Sequence, residues 1–200
     1  MTIALIDYGA GNLHSVHNAL MAAGATDIAV TDDPETVRRA DRVVLPGVGA
    51  FGACAKGLRG VSGMVDAIEE RVLTRGAPFL GVCVGMQLMA DSGEEFGTHP
   101  GLGWISGTVK ALTPAPGIRV PHMGWNDVVP AAAHPLIEPG EAYFLHSFAF
   151  TGAHVIATSD HGGPVTAAIG RDNMVGVQFH PEKSQRYGIA LLERFLAWRP

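Results

Sequence analysis

The hydrophobic pattern changes its period partway along the chain. In the first half, short unbroken apolar runs alternate with segments that repeat every three to four positions. "TIALID" (2–7) is one such run, as expected for a strand covered on both faces. "YGAGN" follows as a turn, and the spacing predicts a helix over Leu13–Ala23, ended by Gly24. "DIAVT" (27–31) reads as the second strand, and Asp33 is placed to cap a helix whose first residue is Pro34. "RVVLPG" (42–47) is the third strand and runs into a Gly/Pro loop; a helix is predicted over Gly63–Thr74. "PFLGV" (78–82) is the fourth strand, with a helix over Val84–Asp91. This β-α-β-α rhythm predicts a mainly parallel sheet between helices.

The second half reads differently. "WISGTVKAL" (104–112), "VPHMGWNDVV" (120–129), "EAYFLHSFAFT" (141–151), "HVIATSD" (154–160), "VTAAIG" (165–170) and "MVGVQFH" (174–180) read as strands with no helical pattern between them. Some of them must pair antiparallel through hairpins. Leu191, Leu192, Phe195 and Leu196 fall at helical spacing, which predicts a terminal helix over Gln185–Trp198. Without repeats, low-complexity tracts or a linker, residues 1–200 read as a single α/β domain.

Composition narrows the class. Hydrophobic residues make up 47% and charged residues 16%, which describes a folded globular chain. The net charge of -5 and the scattered Arg and Lys give no footprint for nucleic acid. No apolar stretch approaches the ~18 residues a membrane span needs, and "MTIALID" lacks the basic start of a signal peptide. Two cysteines, Cys54 and Cys83, form no disulfide framework, so a cytoplasmic setting is expected.

"GVCVGMQ" (81–87) is the first candidate for chemistry. A nucleophile on a strand-turn-helix elbow needs small neighbours, and Gly81 and Gly85 flank Cys83. The free N–H groups of the following helix favour a thiolate and can hold an oxyanion. The other reading makes Cys83 a small buried hydrophobe; the stretch alone leaves both open. Cys54, in "GAFGACAKG", has no such setting and reads as structural. In "GVQFHPEKS" (176–184), His180 and Glu182 stand two apart, so in extended chain the carboxylate can orient the imidazole. An exposed His–Glu pair at a strand end is the plainer reading. "LPGVGAFG" (45–52) is a glycine loop able to present N–H groups to an anion, or a mobile connection. "DYGAGN" (7–12) lacks the third glycine of a nucleotide loop, and His14 and His17 have no further ligand at metal spacing.

Together, Gly81–Gln87 and Phe179–Glu182 resemble the class I (triad) glutamine amidotransferases. "DYGAGNLHSV" (7–16), "LPGVGAFG", "PHMGWN" (121–126), "YFLHSF" (143–148) and "GVQFHPEKS" are similar to the glutaminase subunits of imidazole glycerol phosphate synthases, in order along almost the whole chain. The resemblance implies a three-layer, flavodoxin-like α/β fold with antiparallel additions in the C-terminal half. It implies Cys83 as nucleophile, His180 as acid and base, and Glu182 as its orienting partner. Val84 and either Val48 or Gly49 would supply oxyanion donors. Gly47, Gln87 and a strand through His146, Ser147 and Phe148 would bind glutamine. Val84 stands where leucine is more usual, and Phe148 where tyrosine is, so Phe148 is assigned to packing. Met123, Trp125 and Asn126 would face the partner, a (β/α)8 cyclase subunit that receives ammonia in histidine biosynthesis. No metal, cofactor or nucleic acid is expected. The alternatives are a glutaminase subunit of another synthase, such as that of pyridoxal phosphate, a stand-alone cysteine hydrolase, or a binding module without chemistry.

Overall fold

In the computed structural model, which describes residues 1–114 and 117–200, the apolar runs of the first half are covered on both faces. All of β1 (Ile3–Ile6) is buried. It is followed by α1 (Leu13–Ala22), β2 (Ile28–Thr31) and α2 (Pro34–Arg39). Asp33 caps α2 as expected, its carboxylate accepting from the N–H groups of Glu35 and Thr36, both at 3.1 Å. Next come β3 (Arg42–Gly47), α3 (Phe51–Gly60) and α4 (Met64–Glu69), which a π-helical turn extends over Glu70–Thr74. The buried β4 (Phe79–Cys83) leads into the single turn of α5 (Val84–Gln87). The second half contains β5 (Ala90–Glu94), β6 (Thr98–Pro100), β7 (Ile105–Ala111), β8 (His122–Pro130), β9 (Gly140–His146) and β10 (Phe148–Gly152). Then follow β11 (Val155–Asp160), β12 (Pro164–Arg171), β13 (Met174–Val177) and α6 (Gln185–Ala197).

The main sheet runs in the order β2-β1-β3-β4-β13-β12-β11-β8-β9. Its pairs from β2 to β13 are parallel, and those from β13 to β9 are antiparallel. A smaller sheet, β10-β7-β5-β6, lies apart. Helix α1 packs with α6, while α2 and α3 pack with α4. The mixed α/β architecture is the expected one, and β13 comes from the chain's end to sit beside β4. That insertion brings the two sequence motifs together.

Three expectations needed correction. The glycine loop expected over 45–52 ends at Ala50, where the helix α3 begins, a helix that the sequence reading did not anticipate. Phe51, Cys54, Ala55 and Leu58 are its buried face, at helical spacing, and its glycines serve close packing rather than flexibility. A Cβ on Gly52 would strike the His99 ring, and one on Gly57 would come within 3.0 Å of the Tyr8 carbonyl oxygen. The helix expected over Val84–Asp91 stops at Gln87, because Ala90–Glu94 leaves it to pair with β7. The single strand expected over 141–151 is two, β9 and β10, in different sheets, broken at Ser147.

Candidate active site

Cys83 ends β4 and caps α5. Its backbone lies at φ 54° and ψ −113°, a region that side-chain-bearing residues rarely occupy. The glycines around it allow this. A Cβ on Gly85 would overlap the Leu45 carbonyl oxygen, and one on Gly81 would lie 2.8 Å from the Gly85 oxygen. The elbow therefore packs backbone against backbone, as its sequence predicts.

β13 brings the imidazole. Its residues Met174–Val177 pair with Phe79–Val82, and the chain continues through Gln178 and Phe179 to His180. The His180 N–H donates to the Tyr143 carbonyl at 2.9 Å, and the His180 carbonyl accepts from Ser184 Oγ at 2.7 Å. Pro181–Lys183 form a 3-10 turn that folds the carboxylate back. Glu182 Oε1 and His180 Nδ1 lie 2.8 Å apart, both side chains almost fully buried. The other carboxylate oxygen, Oε2, is buried without a partner among the described residues. Burial alone would lower the pKa of His180. The nearby Cys83 sulfur and the hydrogen bond to Glu182, with their negative charge, outweigh it and push the pKa up to about 10. The pair is therefore not an exposed strand-end ornament.

Cys83 and His180 open on a shared cavity of about 290 Å³. Val48, Gly49, Val84, Gln87, His146, Ser147 and Phe148 also line it. Gly47 does not; it sits level with Cys83 on β3, packed on Gly85 and the Tyr8 hydroxyl, where a side chain would not fit. Gln87 turns its Nε2 inward, donating to the Phe148 carbonyl at 3.0 Å and to Gln178 Oε1 at 2.9 Å. Only its Oε1 remains for a ligand. His146, Ser147 and Phe148 form the crossing between two sheets rather than a strand. Sequence reading missed Glu95 and Lys183, which place opposite charges on the wall, and the apolar wall residues Pro121 and Leu145. The lysine's place in "HPEKS" was a signal. Glu95 had none: it follows β5 directly, past the helix expected over Val84–Asp91, in a stretch with no motif. Its carboxylate accepts from the Phe51 N–H at 2.7 Å.

The glycine loop is held from behind. The Tyr8 hydroxyl, from "DYGAGN", donates to the Pro46 carbonyl at 2.7 Å, and Cys54 Sγ donates to the Val48 carbonyl at 3.3 Å. Both cysteines are free and buried. Burial pushes the Tyr8 phenol and the Cys54 thiol above their ordinary pKa values. Because a trans peptide points its N–H opposite its C=O, the Gly49 N–H is aimed away from Cys54.

On β8 the side chains alternate. Met123 and Trp125 point outward and are 64% and 47% exposed, a pair of large apolar groups on one strand face. Asn126 points the other way, with its amide donating to His122 Nε2 at 3.0 Å and to the Asp160 carbonyl at 2.8 Å. A wider cleft of about 760 Å³ lies between Asp127–Pro130 and Ala132–Gly140 and contains no cysteine. His14 is exposed, with the Asn18 amide nitrogen 3.4 Å from its Nε2. Among the described residues, no helix is long and apolar enough to cross a membrane.

Comparison with known proteins gives the family. The family model for "Glutamine amidotransferase class-I" matches residues 4–198. The "Imidazole glycerol phosphate synthase subunit HisH" of Zymomonas mobilis is 59% identical, over 100% of this chain and 97% of that protein. The subunit of the same name from Rhodospirillum rubrum is 55% identical over the full length of both. A solved structure described as a glutamine amidotransferase superposes with a TM-score of 0.76, covering 98% of each chain at 17% identity, which speaks for the fold alone. So does the glutaminase domain of Trypanosoma brucei CTPS, with a TM-score of 0.70 at 17% identity over 98% of this chain and 92% of that one.

Proposed function

We propose a function on one premise: the chain belongs to the class I glutamine amidotransferase family. It is the glutaminase subunit of an imidazole glycerol phosphate synthase, and it acts with a partner subunit. The observation that carries the chemistry is the strained Cys83 opening on the same cavity as a buried His180 held by Glu182. All 200 residues act as one amidotransferase domain in the cytoplasm, a setting that suits two free cysteines.

Glutamine enters with its side-chain amide toward Cys83. The Glu95 carboxylate suits the substrate's ammonium group, and Gln87 Oε1 offers an acceptor beside it. The Cys83 thiolate attacks the amide carbon. Its oxyanion is held by the N–H of Val84, free at the start of α5, and by an N–H of the Val48–Gly49 segment. Each such donor contributes ~3 kcal/mol to lowering the barrier. The His180 imidazolium then gives its proton to the departing nitrogen, so that ammonia leaves and a thioester remains. Water attacks the thioester while His180 takes its proton; glutamate departs and the thiolate returns. Glu182 holds the ring and stabilises its charge at both steps. Nitrogen and protons balance as glutamine plus water giving glutamate plus ammonia.

The partner is a (β/α)8 cyclase subunit that takes the ammonia before water protonates it and builds it into the imidazole ring. Met123 and Trp125 are the outward anchors on this side. The test is glutamate release measured with and without the cyclase subunit and its nucleotide. The expectation is slow release alone, fast release in the complex, and none from Cys83→Ala in either. Release from Cys83→Ala at the parental rate would overturn the assignment.

A further inference from the structure

Gln178 is fully buried beside the nucleophile, and nothing above gives it a task. The parallel register places it there. Val177 pairs with Val82, so the next residue, Gln178, comes level with Cys83. Gly47 occupies the same level on the other side, where β3 pairs with β4. One neighbour of the nucleophile thus has no side chain, and the other reaches across with a carboxamide. Gln178 Nε2 lies 3.7 Å from Cys83 Sγ.

The orientation of that amide follows from its neighbours. The Phe148 carbonyl can only accept, so Gln87 must turn its NH2 group toward it. The second hydrogen of that NH2 goes to Gln178, which therefore presents its oxygen there, at 2.9 Å. The remaining end of the Gln178 amide, facing the sulfur, is the NH2 group. The same carbonyl sets the polarity of a relay running the other way. His146 Nδ1 lies 2.9 Å from the Phe148 oxygen and carries the hydrogen. His146 Nε2 then accepts from His122 Nδ1 at 3.0 Å, and His122 Nε2 accepts from Asn126. The second amide hydrogen of Asn126 closes the chain on the Asp160 carbonyl at 2.8 Å. With a carbonyl at each fixed point, reversing any member would set two donors or two acceptors face to face. Both rings are neutral in this arrangement.

We propose that Gln178 is a further catalytic residue: its side-chain N–H donates to Cys83 Sγ, stabilising the thiolate and fixing the sulfur, and Gln87 with the relay behind it sets the direction of that donor. The proposal rests on the reading of Cys83 as nucleophile. Gln178 is not on the cavity wall, so it acts on the sulfur and not on bound glutamine. A lost donor to a charged sulfur therefore reduces turnover and leaves binding alone.

The test uses Gln178→Met, which keeps the length and removes both polar ends, and Gln178→Glu, which keeps the shape and the acceptor toward Gln87 but has no N–H. Glutamine hydrolysis is measured with the cyclase subunit present. Labelling of Cys83 by a glutamine-like electrophile is followed by peptide mass mapping, and circular dichroism checks the fold. The expected result is that kcat and the labelling rate fall about tenfold in each folded variant, with KM for glutamine within about twofold. Should Gln178→Met not fold, Gln178→Glu alone decides. A folded variant that labels and turns over like the parent overturns the proposal, as does a raised KM with unchanged kcat. Absence of label on Cys83 in the parent protein removes the nucleophile itself, and with it the proposal.

Discussion

Acid should unfold this protein partly through two buried rings that transfer no proton in the reaction. His146 and His122 are each pushed down to about 4, burial being the main cause; the backbone bond to Phe148 opposes it at His146, and neighbouring histidines add to it at both. In the unfolded chain both titrate near the ordinary histidine value of ~6.5. Between these values the unfolded state binds protons that the native state refuses, so stability falls as pH falls through the window from 6.5 toward 4. From pH 7 to pH 5 the loss is about 2 kcal/mol per ring. His180 has the opposite sign. Its pKa is raised to about 10, so its contribution is present below ~6.5 and disappears only as pH climbs through 10. Replacing His122 with Asn removes one ring while keeping an N–H for His146. Urea midpoints followed by tryptophan fluorescence at both pH values isolate the effect, because carboxylates and His180 are common to both proteins. The parent should lose about 2 kcal/mol more than His122→Asn between pH 7 and pH 5. Equal losses would refute the neutral-ring assignment, and with it the polarity deduced for the relay.

Gly85→Ala places a Cβ on the Leu45 carbonyl, which belongs to β3 and cannot yield; stability should drop by about 3 kcal/mol or more, read as lost soluble yield or a lowered Tm. Glu182→Gln keeps the volume and an acceptor but removes the charge beside His180. Its kcat should fall by about 10² to 10⁴ with little change in KM, and the His180 titration should move down from about 10. Trp125→Ala, at a half-exposed ring, should change stability by no more than about 0.5 kcal/mol yet weaken the complex with the cyclase subunit about thirtyfold, measured by calorimetric titration.

Where sequence and structure agree, the agreement has local causes. The parallel half was legible because buried strands such as Ile3–Ile6 and Phe79–Cys83 write themselves as unbroken apolar runs. The elbow was legible because glycine was needed at two fixed offsets from Cys83. Helix α3 was hidden by its glycines, although Phe51, Cys54, Ala55 and Leu58 repeat at helical spacing. The break at Ser147 left no mark, since both flanking segments are good strand sequence and only the two sheets they join differ. Asn126 was grouped with Met123 and Trp125, though a period of two puts it on the opposite face with His122. Gln178 was beyond reach for a different reason. Its importance depends on β13 inserting beside β4 in one register, and no local pattern encodes which strand a strand will join.

The backbone at Cys83 separates the reactive reading from that of a cysteine filling space. A residue with a Cβ held at φ 54° costs about 1–3 kcal/mol. Glycine would relieve that strain at once, and the chain already uses glycine at 81 and 85 to close the same turn. A core filler would also do without the two polar neighbours that Cys83 has, an amide at 3.7 Å and an imidazole whose charge depends on the sulfur. Strain, a directed donor and a stabilised cation all converge on one atom, and each is a liability unless that atom reacts. The shape of the opening limits what it reacts with. A cavity of about 290 Å³ lined by the cysteine, a glutamate and a lysine has room for a free amino acid carrying a side-chain amide.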